Sequence, residues 1–170
     1  MTESLIEALQ ARISALEAQN AVRKTIARYM ALCDVPAGAL EGESFTALFT
    51  HDAVWEGIGP LYSSKFGYLQ GHDSIIPMLQ RYLPPKPHFA SNVHFLSTEH
   101  IEVDGDTAKG RWIMLQASRY ADAKTELIAA RLEVDFVPSP HGHRTWLIRH
   151  FRTERLFAAP WPVSPAQGAA

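Results

Sequence analysis

Residues 88–120 read HFASNVHFLSTEHIEVDGDTAKGRWIMLQASRY. Two runs rich in strand-forming residues flank Asp104-Gly105-Asp106, a sequence that favours a tight hairpin. The stretch predicts one long strand from His88 to Val103 and a second from Thr107 to Tyr120. Two more, Thr125 to Val137 and Thr145 to Leu156, follow at regular spacing, parted by the proline- and glycine-rich turn Pro138 to Arg144. Four long strands in succession make an antiparallel meander.

Upstream the periodicity changes. Leu5, Leu9, Ile13 and Leu16 recur at helical spacing, and Val22, Ile26, Tyr29 and Cys33 continue the pattern past an interruption near Asn20. This predicts a helix from Ser4 to about Cys33, whose narrow first stripe suits packing on a partner or on the domain itself. Asp34-Val35-Pro36-Ala37-Gly38 ends it, because proline and glycine continue a helix only at a cost. A short helix from Glu43 to Phe49 and a strand from Ala53 to Ile58 follow. Gly59 to Gly71 reads as a loop or an irregular strand pair. Asp73-Ser74 caps a helix from Ile75 to about Leu83, which Pro84-Pro85-Lys86-Pro87 stops. Helices first and a meander afterwards give an α+β domain in which a curved sheet wraps the helices. Such a sheet, closed at one end by helices, makes a cone with a deep pocket. One domain is expected over residues 1–157, with a Pro/Ala/Gly-rich tail, 158–170, that is extended or disordered past Trp161.

Composition narrows the function. The chain has 170 residues, of which 46% are hydrophobic and 20% charged, and a formal net charge of -2. That is ample for a core and excludes disorder over most of the length. The charge balance leaves no electrostatic footprint for nucleic acid. No apolar run is long enough to span a membrane, and the N-terminus lacks the layout of a signal peptide. Cys33 is the only cysteine, which excludes an intrachain disulfide and fits a reducing, cytoplasmic setting.

Several pieces occur together in a telling order: Tyr29 and Asp34 at the end of the first helix, Phe49-Thr50-His51-Asp52-Ala53-Val54-Trp55, Gly71-His72-Asp73-Ser74-Ile75, His88-Phe89-Ala90-Ser91-Asn92, and Ile101 to Ala108. In this order they resemble the SnoaL-like branch of the nuclear transport factor 2 superfold, over about Ala21 to Phe157. Within that branch the likeness runs to the cofactor-independent lyases: scytalone dehydratase, bile acid 7α-dehydratase and hexachlorocyclohexane dehydrochlorinase. The resemblance implies the cone fold, no cofactor and no metal, and a homo-oligomer, with a trimer preferred. It also implies a catalytic pair of Asp34 with His88, Tyr29 as a hydroxyl donor, and Trp55 as a pocket tryptophan. By the same likeness Ile113, Leu115, Ile128, Ala130, Leu132, Phe151 and Thr153 face inward, joined by Met30, Leu79 and Leu83 from helices. Phe151 stands where the dehydrochlorinase has a pocket arginine, with Arg149 and Arg152 displaced around it.

The chemistry of such a pair is simple. Imidazole accepts a proton near neutral pH, and a carboxylate on one ring nitrogen fixes the tautomer and stabilises the imidazolium. The other nitrogen is then free to take a proton from a substrate, and a tyrosine can donate to a departing hydroxyl or an enolate oxygen. His88, His94 and His100 share strand parity, but neighbours six apart in a strand lie roughly 20 Å from each other, too far for one ion. His141 and His143 fall in a turn, His51, His72 and His150 read as surface or supporting groups, and Cys33 reads as a small core residue. Tyr62, Phe66 and Tyr68 form either a flap or ordinary core. An apolar, aromatic pocket favours a hydrophobic ring compound, and no glycine-rich phosphate loop is present. The expected activity is thus a lyase losing water, halide or formaldehyde, for example from a lignin-derived diaryl compound. The alternatives are an isomerase or cyclase of the ketosteroid isomerase or polyketide cyclase type, and a non-catalytic small subunit of a ring-hydroxylating dioxygenase.

Overall fold

The computed structural model describes residues 2–85 and 88–162. Helix α1 (Thr2–Cys33) is one unbroken rod, and Asn20 does not interrupt it. A single 3-10 turn, Phe45–Ala47, replaces the short helix expected from Glu43 to Phe49. Strand β1 (Phe49–Ile58) starts four residues before the expected Ala53, because Phe49 already pairs with Ile148. The segment from Gly59 to Gly71 is not a loop. It holds helix α2 (Gly59–Lys65), opened by Gly59 at φ 72 and Pro60, and strand β2 (Tyr68–Gln70). Helix α3 (His72–Gln80) begins after Gly71 rather than at an Asp73-Ser74 cap, and ends earlier than Leu83. Strands β3 (Phe89–Asp104), β4 (Thr107–Tyr120), β5 (Thr125–Ser139) and β6 (Gly142–Ala159) form the meander. Strand β6 therefore runs past 157, and Trp161 still donates its indole N–H to the Ser118 carbonyl at 3.1 Å. The expected tail beyond 162 lies outside the described residues, as do Lys86 and Pro87.

The sheet order is β2-β1-β6-β5-β4-β3. All pairings are antiparallel except β1 with β6, so the sheet is mixed. It curls around the second half of α1. From that helix Val22, Ile26, Tyr29 and Met30 are buried, and the facing sheet contributes Trp112, Leu132, Val134, Ile148 and Phe151. Thr25, buried at mid-helix, donates its hydroxyl to the Trp146 carbonyl at 2.6 Å and fastens α1 to β6. Among the described residues no helix is long and apolar enough to cross a membrane.

Gly57 decides how closely α2 approaches the sheet. A Cβ built there would stand 2.3 Å from the Tyr62 carbonyl oxygen, so only glycine admits this contact. Gly57→Ala should push α2 outward and cost about 1–3 kcal/mol by overpacking, read from the urea midpoint. An unchanged midpoint would show that α2 is not seated on this glycine.

Candidate active site

The end of α1 and the start of β3 are tied by one short bridge. The Val35 N–H donates to the Asn92 carbonyl at 2.8 Å, and the Asn92 N–H returns to the Val35 carbonyl at 2.9 Å. This sets Asp34 beside the residue two positions along the same strand face, which is His94. Asp34 Oδ1 accepts the His94 backbone N–H at 3.0 Å and the His94 Nδ1–H at 2.8 Å. The His94 side chain is only 9% exposed and that of Asp34 19%. The structure thus pairs Asp34 with His94 and not with His88. The expected pairing is corrected for a physical reason: the bridge at Asn92 places the helix end beside His94, and His88 lies six residues, roughly 20 Å of strand, further back. His88 is exposed at the rim, its ring 5.0 Å from that of Tyr82 and 5.5 Å from that of Tyr120.

Around His94 lies a cavity in two chambers. The outer one, about 670 Å³ including its open mouth, is bordered by His88, Phe89, Leu79, Tyr82, Leu83 and Ile128. The inner one, about 440 Å³ on the same footing, is bordered by Tyr29, Met30, Met114, Leu132, Phe151 and Thr153. Cys33, Trp55, Tyr62, Phe66, His94 and Gln116 border both, so the two are halves of one space. Its size suits a ligand of one or two rings. Trp55 stacks on Phe151 with an interplanar angle of 13°, and its indole N–H donates to the Tyr29 hydroxyl at 3.1 Å.

Most of the expected wall residues are in place: Trp55, Met30, Leu79, Leu83, Ile128, Leu132, Phe151 and Thr153 all line the cavity. Ile113 and Leu115 do not. On β4 the even-numbered residues face inward, so Met114 and Gln116 take those places and Leu115 is exposed on the outer face. Ala130 is fully buried opposite Met114, in the core and off the cavity surface. Tyr62 and Phe66 stand in the wall on α2, whereas Tyr68 is exposed on β2. Arg149 is exposed, and Arg152 reaches across the outer face to Asp135 at 2.9 Å.

Sequence reasoning did not single out the polar shelf under His94. Asn92 Oδ1 accepts from Gln116 Nε2 at 3.0 Å and from the Ser118 hydroxyl at 2.8 Å, while Asn92 Nδ2 donates to the Cys33 carbonyl at 3.3 Å. The signal was there in Gln116 and Ser118, two polar residues that follow Ala108, Gly110, Trp112 and Met114 on the same face of β4. Asn92→Ala should strand the Gln116 and Ser118 donors and cost about 1–3 kcal/mol in urea unfolding. Stability equal to wild type would sever Asn92 from any structural part in the site.

Burial sets the protonation of the groups deepest in the cone. It pushes the Cys33 thiol from an ordinary value of 9.0 up to about 12, with the neighbouring Asp34 charge adding to the rise. It also raises the Tyr29 hydroxyl well above 10.0, so that group stays protonated and able to donate. The folded chain thus holds protons that the unfolded chain releases. Stability from both groups is intact below the unfolded thiol's range and falls as pH climbs from about 9 towards 12. Urea midpoints measured across that range should decline. Iodoacetamide at about pH 8 should leave Cys33 unmodified in the folded protein and alkylate it after unfolding, because only the thiolate reacts.

Residues 14–152 match the family model of the SnoaL-like domain. The chain belongs to the SnoaL-like family. Solved structures agree on the fold. A hexachlorocyclohexane dehydrochlorinase of type 2 superposes with a TM-score of 0.72 at 16% identity, over 93% of this chain and 99% of that one. A type 3 dehydrochlorinase from Novosphingobium barchaimii gives 0.69 at 14% identity, over 91% and 99%. A scytalone dehydratase-like protein from Novosphingobium aromaticivorans gives 0.66 at 17%, over 100% and 99%. At these identities the likeness is one of fold. No curated protein sequence matches the chain.

Proposed function

We propose that the protein is a cofactor-independent lyase acting on a hydrophobic aromatic or cyclic small molecule, with His94 as general base and Asp34 as its positioning partner. The observation that carries this reading is the Asp34–His94 hydrogen bond at the junction of two aromatic chambers. With Nδ1 committed to the carboxylate, Nε2 is the ring atom left to take a proton from a bound substrate. The electron pair of the broken bond to hydrogen then forms the new double bond, and the leaving group departs with its own bonding pair. The imidazolium that results sits against Asp34, which stabilises the charge. Tyr29, kept protonated by burial, supplies a hydrogen bond to the departing group or to an oxygen that gains charge. The structural neighbours named as dehydrochlorinases and as scytalone dehydratase-like support elimination as the reaction class. A homotrimer belongs to the same reading: Val93 and Phe95 of β3, Leu115 of β4 and Phe157 of β6 are exposed, and a neighbouring subunit would cover them.

A panel of aryl-substituted alcohols and halides, screened by mass spectrometry, should give a product lighter by the leaving group. An unchanged product mass would mark an isomerase instead. On the best substrate His94→Ala and Asp34→Asn should each lower kcat at least about 100-fold, with circular dichroism unchanged. His88→Ala should stay within about tenfold of wild type. A His94→Ala variant that turns over at the normal rate removes the proposed base.

A further inference from the structure

The first half of α1 projects from its own domain. Residues 4–17 are all exposed, and burial begins only at Ala21 and Val22. At about 1.5 Å per residue the free segment reaches roughly 24 Å beyond the body. It is not a polar extension, since Leu5, Ile6, Leu9, Ile13 and Leu16 are 61%, 50%, 47%, 55% and 63% exposed.

The direction of these side chains excludes the helix's own domain as their partner. At about 100° of rotation per residue, the stripe Leu5, Ile6, Leu9, Ile13 and Leu16 is turned roughly 175° from the face carrying Ala21, Val22, Thr25, Ile26 and Tyr29. That second face is the one packed on the sheet. Two apolar stripes on opposite sides of one rod serve two different partners.

The exposed stripe also has a register. Ile6 and Ile13 occupy the first position of successive seven-residue repeats, Leu9 and Leu16 the fourth, and Asn20 the next first position. Isoleucine at the first and leucine at the fourth favour two parallel strands, and a polar asparagine at a first position sets alignment and strand number. The flanking charges match the same geometry. Arg12 and Glu17 fall on the two edges of the stripe, five residues apart, where parallel helices bring one chain's edge residue to the opposite edge of the other. Each copy's Arg12 would face the other copy's Glu17, twice over by symmetry.

We infer that residues 2–20 of two copies of this chain associate as a short parallel coiled coil, a contact separate from any between the domain bodies. Its occupant is a second copy because the stripe complements itself in both packing and charge.

The test uses this chain with one added cysteine, and the wild type, whose sole thiol, Cys33, is half-buried in the cavity wall, as the blank. Ile13→Cys, on the seam, should convert almost completely to a disulfide-linked dimer under mild oxidation. Ala11→Cys, on the opposite side, should stay uncrosslinked. A plateau near about two-thirds conversion would mean three strands and would overturn the inference, since one chain in a threefold bundle is left unpaired. Equal cross-linking of both variants, or of neither, would also overturn it. Ile13→Asp should halve the particle mass by light scattering with the thermal unfolding of the domain unchanged, and an unaltered mass would refute the pairing.

Discussion

The site depends on where α1 stops. Val35 and Asn92 exchange a pair of backbone hydrogen bonds, and that exchange holds the helix end against the first strand of the meander. Asp34 then needs no long side-chain search to find its histidine. One carboxylate oxygen accepts both a main-chain and a ring N–H of His94, so the carboxylate fixes where the strand runs and which way the imidazole turns. Asn92 contributes from below, its side chain satisfied by Gln116, Ser118 and the Cys33 carbonyl. A buried polar network of this kind is stable only when its members have partners, and both polar atoms of the Asn92 side chain have at least one.

Around that polar knot the walls are almost wholly aromatic and aliphatic. Phe151 and Trp55 stack, Phe66 meets Trp55 edge-on, and Tyr29 packs against Phe45, Phe49 and Phe151. Low polarity has a direct electrostatic effect here, since it disfavours ionised forms and keeps Tyr29 and Cys33 as neutral donors. Polar groups gather instead at the mouth, where the Tyr120 hydroxyl donates to Glu126 at 2.8 Å and Arg155 approaches the same carboxylate. The cone is therefore lined by apolar rings at its base and by charged and hydroxyl groups at its rim.

Much of this was legible from residue order. The four strands of the meander, the long first helix and the α+β class follow from periodicity, because long, regular elements repeat their pattern many times. The short elements escaped it: a glycine and a proline made Gly59 to Gly71 look like loop, although Gly59 and Pro60 instead open a helix there. Asp34, Trp55 and Phe151 were assigned to the cavity from resemblance, and they line or adjoin it. His88 was paired with Asp34 from resemblance, as the histidine that begins the long strand. Which histidine meets Asp34 is set by the bridge between Val35 and Asn92, a contact between residues 57 apart that no local feature of the sequence announces. Ile113 and Leu115 were set inside by the same likeness, whereas the register of β4 turns its even-numbered residues inward.

The parallel pairing of β1 with β6 has a consequence for biosynthesis. Strand β1 leaves the ribosome early, but its only long neighbour among the described strands is β6. Trp55 and Ala53 lack that neighbour until Gly142–Ala159 has been made. Closing that gap last gives the molecule a high contact order and favours slow, all-at-once maturation over stepwise assembly from the N-terminus.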